Sequence, residues 1–324
     1  MSFRVTILGS SSAKPTPDKH TSAHALNVRE QFFLIDCGED TQRQLIRYGI
    51  NPLKINAVFI THLHGDHLYG LFPLISTMGL YGRRTPLKVF GPKPLDEILE
   101  AHFKYFDTEL PYEVQFCEVN TRAERCVFET SYMTVETIPL RHRVPCCGYL
   151  FREKEPELNI EKSAIERYGL GIAQIAAAKR GEDLTLADGT LLPASEITYR
   201  PFRPRAYAYC SDTQYSAKVA RIVSGVDLLY HEATYLDIER KVAHQRGHAT
   251  ALQAAKVASM AGVGRLLIGH FSARYKDERV LLDEARTLFE ATDLATEGRT
   301  FEIPKRRESG VSSDVINTAK ILQM

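Results

Sequence analysis

The sequence predicts an α/β protein, and three observations carry the prediction. Short apolar, β-branched runs recur along the chain and alternate with stretches of helical period. Several of these runs end in histidine or aspartate, as strands do when their ends converge on one edge of a sheet. The composition, 44% hydrophobic and 25% charged over 324 residues, supplies a sizeable core.

The elements follow in order. Residues 3–8 read as a strand closed by the turn Gly9-Ser10-Ser11-Ser12, and 25–28 and 32–36 as a strand pair. Residues 41–48 suit a short helix, 57–60 a buried strand, 67–80 a helix, 87–92 a strand with its stop, and 95–106 a helix. Strands are expected over 112–119 and 133–140. Residues 151–205 break the rhythm. Their nine basic and nine acidic residues balance, helical signals cover 162–168 and 172–179, and Asp188-Gly189 marks a turn. They read as an arm inserted into a single domain spanning 1–324. Alternation resumes with strands at 207–210, 228–230 and 265–268 and helices over 250–261 and 276–289, and the end from about Arg307 is polar.

Whole-chain properties narrow the function. A formal charge of +1 excludes a uniformly basic nucleic-acid-binding surface and leaves room for a local patch. No apolar run approaches the ~20 residues needed to cross a bilayer, so no membrane is expected as a partner. The N-terminus reads as a first strand, not a signal peptide. The six cysteines form no CxxC pair and a chain this long needs no disulfide, which points to reduced thiols in a cytoplasmic protein.

The chemistry concentrates in THLHGDH, residues 61–67, which holds three of the 11 histidines and an aspartate. The apolar run before it places this cluster at a strand end. His62 and His64, two apart, point to one side in extended backbone. Gly65 lets the chain turn, so Asp66 and His67 face a second point. Imidazole and carboxylate without thiolate suit catalytic zinc with an open position. Four ligands cannot close two such sites. His142, Asp212 and His270 each follow a later predicted strand and complete them. His62, His64 and His142 would hold one ion, Asp66, His67 and His270 the other, and Asp212 would bridge both. A hydroxide shared by two metals roughly 3.5–4 Å apart is a nucleophile for in-line attack on a phosphodiester.

This pattern resembles the metallo-β-lactamase superfamily. Within it, IDCGEDTQRQL (35–45), HLYGLFPLI (67–75), HRVPCCGYLF (142–151), SDT (211–213), HEATY (231–235), GHAT (247–250) and GHFSARY (269–275) resemble ribonuclease Z, the endoribonuclease family that trims the 3′ trailer of precursor tRNA. The resemblance implies a four-layer αβ/βα sandwich with the ligands along one edge. It implies two Zn2+ per chain, with Mn2+ an alternative, precursor tRNA as substrate, a tRNA 3′-hydroxyl as product, and a homodimer. Asp66 would be a ligand, alone or also as holder of the attacking water's proton. His248 would hold a phosphate or protonate the leaving 3′ oxygen. His231 and Glu232 would form a supporting or proton-relay pair, Arg274 would clamp a phosphate oxygen, and Asp36 would orient a ligand histidine. The arm departs from the family's glycine-proline-rich form. YGLGIAQIAAAKRGEDL (168–184) keeps Lys179 and Arg180 as a basic turn for RNA phosphates, and Arg200, Arg203 and Arg205 form a second basic group. Other readings are a small-molecule or cyclic-nucleotide phosphodiesterase, a hydrolase of esters, thioesters or lactams, and a metal-free RNA-binding protein.

Overall fold

The computed structural model describes residues 2–106 and 109–306. The polar end expected from about Arg307 lies outside the described residues. The described residues divide into two compact units, one built from residues up to Arg152 and Ala206–Ile303, the other from Glu153–Arg205 and residues 304–306.

The first unit holds two 7-stranded sheets. One runs Thr300–Glu302, Phe3–Gly9, Ala23–Val28, Gln31–Ile35, Ile55–Phe59, Leu87–Gly91, Val114–Glu118, antiparallel through its first four strands and parallel beyond. The other runs Thr292–Leu294, Leu266–Gly269, Leu228–Glu232, Ala206–Cys210, Cys147–Glu153, Met133–Pro139, Cys126–Glu129, parallel through its first four. Strand alternation sorts each sheet's side chains to two faces. The inner faces meet in one apolar layer that includes Val5, Phe33, Phe59, Tyr149, Phe151, Tyr209 and Leu267. Phe59 is its hub: it stacks on Phe90 at 4.7 Å and meets Tyr149 and Phe151 edge-on at 5.2 and 5.3 Å. Such pairs add about 0.5–1.5 kcal/mol each beyond burial. The outer face of the first sheet is covered by helices Thr41–Arg47, Leu71–Leu80 and Leu95–Tyr105, that of the second by Ala217–Ile222, Ala251–Ala261 and Arg279–Arg286. Helix, sheet, sheet, helix is the four-layer sandwich that the family resemblance implied.

Several elements differ from expectation. The helix expected over 67–80 breaks into Gly65–Leu68 and Leu71–Leu80. The break is at Gly70, whose N–H donates to the Cys37 carbonyl at 2.9 Å and where a Cβ would lie 1.9 Å from the Gly38 oxygen. The strands Cys126–Glu129, Cys147–Glu153, Thr292–Leu294 and Thr300–Glu302 had no strand assigned to them. All six cysteines are free thiols, and no described helix is long and apolar enough to cross a membrane.

The second unit carries helices Lys162–Tyr168 and Ile172–Lys179, a short antiparallel strand pair, Asn159–Ile160 with Thr198–Tyr199, and a short hairpin, Leu184–Thr185 with Leu191–Leu192. The hairpin turns at Asp188-Gly189, where Gly189 takes φ 85°. Ala164, Leu170, Ala178, Leu184, Leu192 and Ile197 give the unit an apolar cluster of its own. Arg205, expected in a basic surface group, is buried and forks onto Glu153 at 2.8 and 2.9 Å.

Candidate metal centre and active site

Three of the four strands that deliver the site make parallel pairings, whose carboxyl ends share one edge, and the fourth, Met133–Pro139, lies in the antiparallel part of the second sheet. Ile55–Phe59 leads into Thr61–His67, Met133–Pro139 into His142, Ala206–Cys210 into Asp212, and Leu266–Gly269 into His270. The structure brings all seven candidate ligands together in two groups. In the first, His64 Nδ1 lies 3.0 Å from His62 Nε2 and 3.4 Å from His142 Nε2. Asp212 Oδ2 approaches His62 and His142 at 3.6 and 3.5 Å. In the second, His67 Nε2 and His270 Nε2 are 3.3 Å apart, with Asp66 Oδ2 at 3.5 and 3.4 Å and Asp212 Oδ1 at 3.2 and 3.1 Å. Asp212 thus gives one oxygen to each group.

The outer ring nitrogens are held by the protein. His67 Nδ1 donates to Asp36 Oδ2 at 2.7 Å, His270 Nδ1 to the Thr234 hydroxyl at 3.0 Å, and His142 Nδ1 to the Gly247 carbonyl at 2.9 Å. His62 Nδ1 meets the Thr61 hydroxyl at 3.0 Å, which in turn donates to Asp36 at 3.0 Å. These partners fix each ring's tautomer and leave Nε2 bare toward the cleft. Gly247 has φ 80°, and a Cβ there would come 2.9 Å from His142 Nδ1. Asp36 and His270 themselves take left-handed φ of 56° and 59°, a conformation that non-glycine residues hold only where the surroundings enforce it.

The donor set fits metal cations. With both outer protons committed, the Nε2 lone pairs of His67 and His270 face each other beside two carboxylate oxygens. That arrangement is unfavourable unless a cation sits among them. Burial disfavours charging His67, yet Asp66, Asp212 and Asp36 hold it well above the ordinary histidine range. Burial would raise Asp66, but His67 and His270 keep it far below the usual carboxylate range. Burial holds His62, His64 and His142 low, so they are neutral, as metal ligands must be.

The cleft above these groups has a volume of about 960 Å³, and Lys14, Arg143, Arg246 and Arg274 reach its walls. His248 lines it and donates from Nδ1 to Glu232 Oε1 at 2.9 Å. Burial opposes a charge on His248, but Glu232, with Asp212 and Asp66, raises it to about 9. Glu232 also accepts from Thr213 N at 2.7 Å and from the Thr234 hydroxyl at 2.6 Å, which links it to His270. His231 is not brought to the cleft. Neighbours along a strand face opposite ways, so it is buried on the other side, its Nδ1 donating to the Glu232 carbonyl at 2.7 Å. Arg274 lies over Tyr235 at 4.8 Å and is ion-paired to Glu239. Lys179 and Arg180 lie in the second unit, where Arg180 forks onto Glu182 at 2.7 and 3.1 Å. The N–H groups of Ser10 and Ser11 donate to the His20 carbonyl and that of Ser12 to the Phe271 carbonyl, and the next residue, Ala13, donates to Asp66 Oδ2 at 2.7 Å. Sequence reasoning missed Ala13, Thr61, Thr234 and the Gly247 carbonyl. Thr61, Thr234 and Gly247 carried a signal through their places in THLHGDH, HEATY and GHAT, and Ala13 carried none.

Over 295 residues, 91% of this chain and 97% of that one, the sequence is 44% identical to a ribonuclease Z of Bacteroides fragilis. The chain belongs to the ribonuclease Z family. Ribonuclease Z enzymes are metal-dependent endonucleases that process tRNA 3′ ends, and clusters of histidine and aspartate like this one are typical of the dinuclear site of their fold. The structure of human tRNase Z, short form (ELAC1), is similar with a TM-score of 0.67 at 24% identity, covering 93% of this chain and 99% of that one. The metallo-β-lactamase fold protein YhfI of Bacillus subtilis gives 0.65 at 20%, covering 93% and 100%. The architecture is therefore the metallo-β-lactamase fold. A family model described as Anti-Pycsar protein Apyc1 matches residues 3–158.

Proposed function

We propose that this ribonuclease Z cuts precursor tRNA just after the discriminator nucleotide with two zinc ions. One would be held by His62, His64 and His142, the other by Asp66, His67 and His270, and Asp212 would serve both. The observation carrying this reading is the division of Asp212, with Oδ1 3.1 Å from His270 and Oδ2 3.5 Å from His142. One carboxylate turned to two nitrogen sets suits two cations. When bound, the pair would acidify water and neutralise charge building on the phosphate oxygens.

The chain's own groups complete the reaction. Asp66, fixed by the Ala13 N–H, faces the cleft and would hold the water's proton. His248 has its Nδ1 proton committed to Glu232, so Nε2 would deliver a proton to the leaving 3′ oxygen, giving tRNA with a 3′-hydroxyl. Glu232 keeps His248 charged and aimed, and His231 acts on Glu232 only through the strand they share. Arg274, held over Tyr235, would exchange Glu239 for a non-bridging phosphate oxygen. Lys179 and Arg180 would meet phosphates of the tRNA body, Arg180 after leaving Glu182. Leu80, Tyr105 and Phe106, 86%, 77% and 73% exposed on the helical side of the first sheet, are surface that a second copy would cover in a homodimer. Such a role belongs in the cytoplasm.

One gel tests the reading. Zinc-loaded protein is incubated with end-labelled precursor tRNA, with EDTA and His64→Ala as controls. A single metal-dependent cut beside the discriminator is expected. No cut, with turnover of bis(p-nitrophenyl) phosphate, would move the substrate to small phosphodiesters.

A further inference from the structure

Behind the loop that carries His142 lies a second groove, of about 480 Å³. His142 and Arg143 line both this groove and the main cleft, so the two join around one loop. Arg122, Arg141, Arg143 and Lys218 reach its walls, and no aspartate or glutamate does. Lys218 is shared with Glu124 at 3.5 Å. Arg122, Arg141 and Arg143 are exposed, and among the described residues none has a carboxylate within ion-pair distance. The loop is tied beside Asp212: Arg141 N donates to the Thr213 hydroxyl at 3.1 Å, and Gln214 N to the Arg141 carbonyl at 2.8 Å. The cations are therefore mounted on a fixed wall. Uncompensated arginines leading away from a phosphodiester-cutting centre suit an anionic strand.

We propose that this groove carries the phosphate backbone of the single-stranded 3′ trailer away from the cut. The inference rests on the precursor-tRNA reading above. The groove is half the volume of the cleft and far too small for an RNA duplex. On the tRNA side the strand enters the acceptor duplex after the discriminator, so only the trailer stays single-stranded over several nucleotides. Arginine forks hold phosphates without reading bases. Trailers of any sequence would fit.

The test compares precursors that differ only in the trailer, one a single nucleotide and one long and unstructured. Wild-type protein and the double variant Arg122→Gln/Arg141→Gln are assayed over a range of salt. The wild type should favour the long trailer in kcat/KM, and the variant should lose most of that preference. Its salt slope on the long trailer should be shallower by about 1.4, because each arginine that neutralises a single-strand phosphate adds ~0.7 to the slope. In the wild type, 4-thiouridine placed early in the trailer should crosslink to the peptide holding Pro139–Cys146. Equal loss on both precursors would assign the arginines to the tRNA body and overturn the proposal. So would an unchanged preference, or a crosslink elsewhere. A wild type that cuts neither precursor would instead refute the reading beneath it, and this inference with it.

Discussion

Asp36→Asn replaces one buried oxygen at the point on which both nitrogen sets lean. Asp36 Oδ1 accepts from Thr61 N at 2.8 Å and the Thr61 hydroxyl at 3.0 Å, and Oδ2 from His67 Nδ1 at 2.7 Å and the Tyr209 hydroxyl at 2.9 Å. The Thr61 N–H cannot turn away, so the amide oxygen must stay there and the new NH2 must face His67 and Tyr209. Tyr209 can rotate its hydroxyl and accept. His67 has no such freedom: its Nδ1 meets a donor, so its proton moves to Nε2, the atom aimed at Asp212 and His270. An Nε2–H has no lone pair for a metal. Loss of such a supporting carboxylate lowers metal affinity about 10- to 100-fold, roughly 1.4–2.7 kcal/mol. Competition against a fluorescent zinc chelator measures this directly. Excess zinc should restore hydrolysis of bis(p-nitrophenyl) phosphate, since no reacting atom is gone. The reasoning is refuted if the variant binds zinc as tightly as the parent, or if it stays folded and excess zinc leaves it inactive.

Three further outcomes are expected. His248→Gln should slow RNA cleavage by about 10²- to 10⁴-fold yet affect bis(p-nitrophenyl) phosphate far less, because p-nitrophenolate leaves without a proton; equal losses would remove the acid role. Gly247→Ala should reduce bound zinc by pressing a Cβ to 2.9 Å from His142 Nδ1, and metal analysis showing a full complement would contradict this. His24, fully buried against Tyr207, Tyr209 and Tyr230, is pushed by burial from 6.5 down to about 3. The unfolded chain therefore takes up its proton first, and stability present above pH 6.5 is withdrawn as pH falls toward 3, at about 1.4 kcal/mol per pH unit. In EDTA, His24→Gln should show a stability slope shallower by that amount between pH 6 and pH 4, and parallel slopes would show that His24 does not couple to folding.

Much of this site was legible because its ligands obey a positional rule. THLHGDH, His142, Asp212 and His270 each follow a buried apolar run, and in parallel strands those ends share an edge. The arm helices were legible from their own period. Other features needed coordinates. The break at Gly70 arises from a backbone approach to Gly38, which no local pattern encodes. Thr292–Leu294 and Thr300–Glu302 are too short to display alternation. His231 and Glu232 read as a pair in sequence, yet strand geometry forbids both from facing the cleft. The convergence of Thr61, His67 and Tyr209 on Asp36 spans 173 positions between Asp36 and Tyr209, and each looks ordinary alone. Arg180 and Arg205 read as free cations, and the structure supplies their carboxylates.

The candidate ligands come from both halves of the sandwich. His62, His64, Asp66 and His67 leave the first sheet, and His142, Asp212 and His270 leave the second. A bound cation would therefore act as a rivet between layers that otherwise adhere through apolar side chains. Only the folded chain presents the full set, so free metal at a thousandfold excess over its Kd would add about 4 kcal/mol to stability. The supply of metal would then govern how long each molecule survives as well as how fast it works. A cell short of that ion would lose this enzyme to unfolding and proteolysis, with no idle reserve left to reactivate when the ion returned.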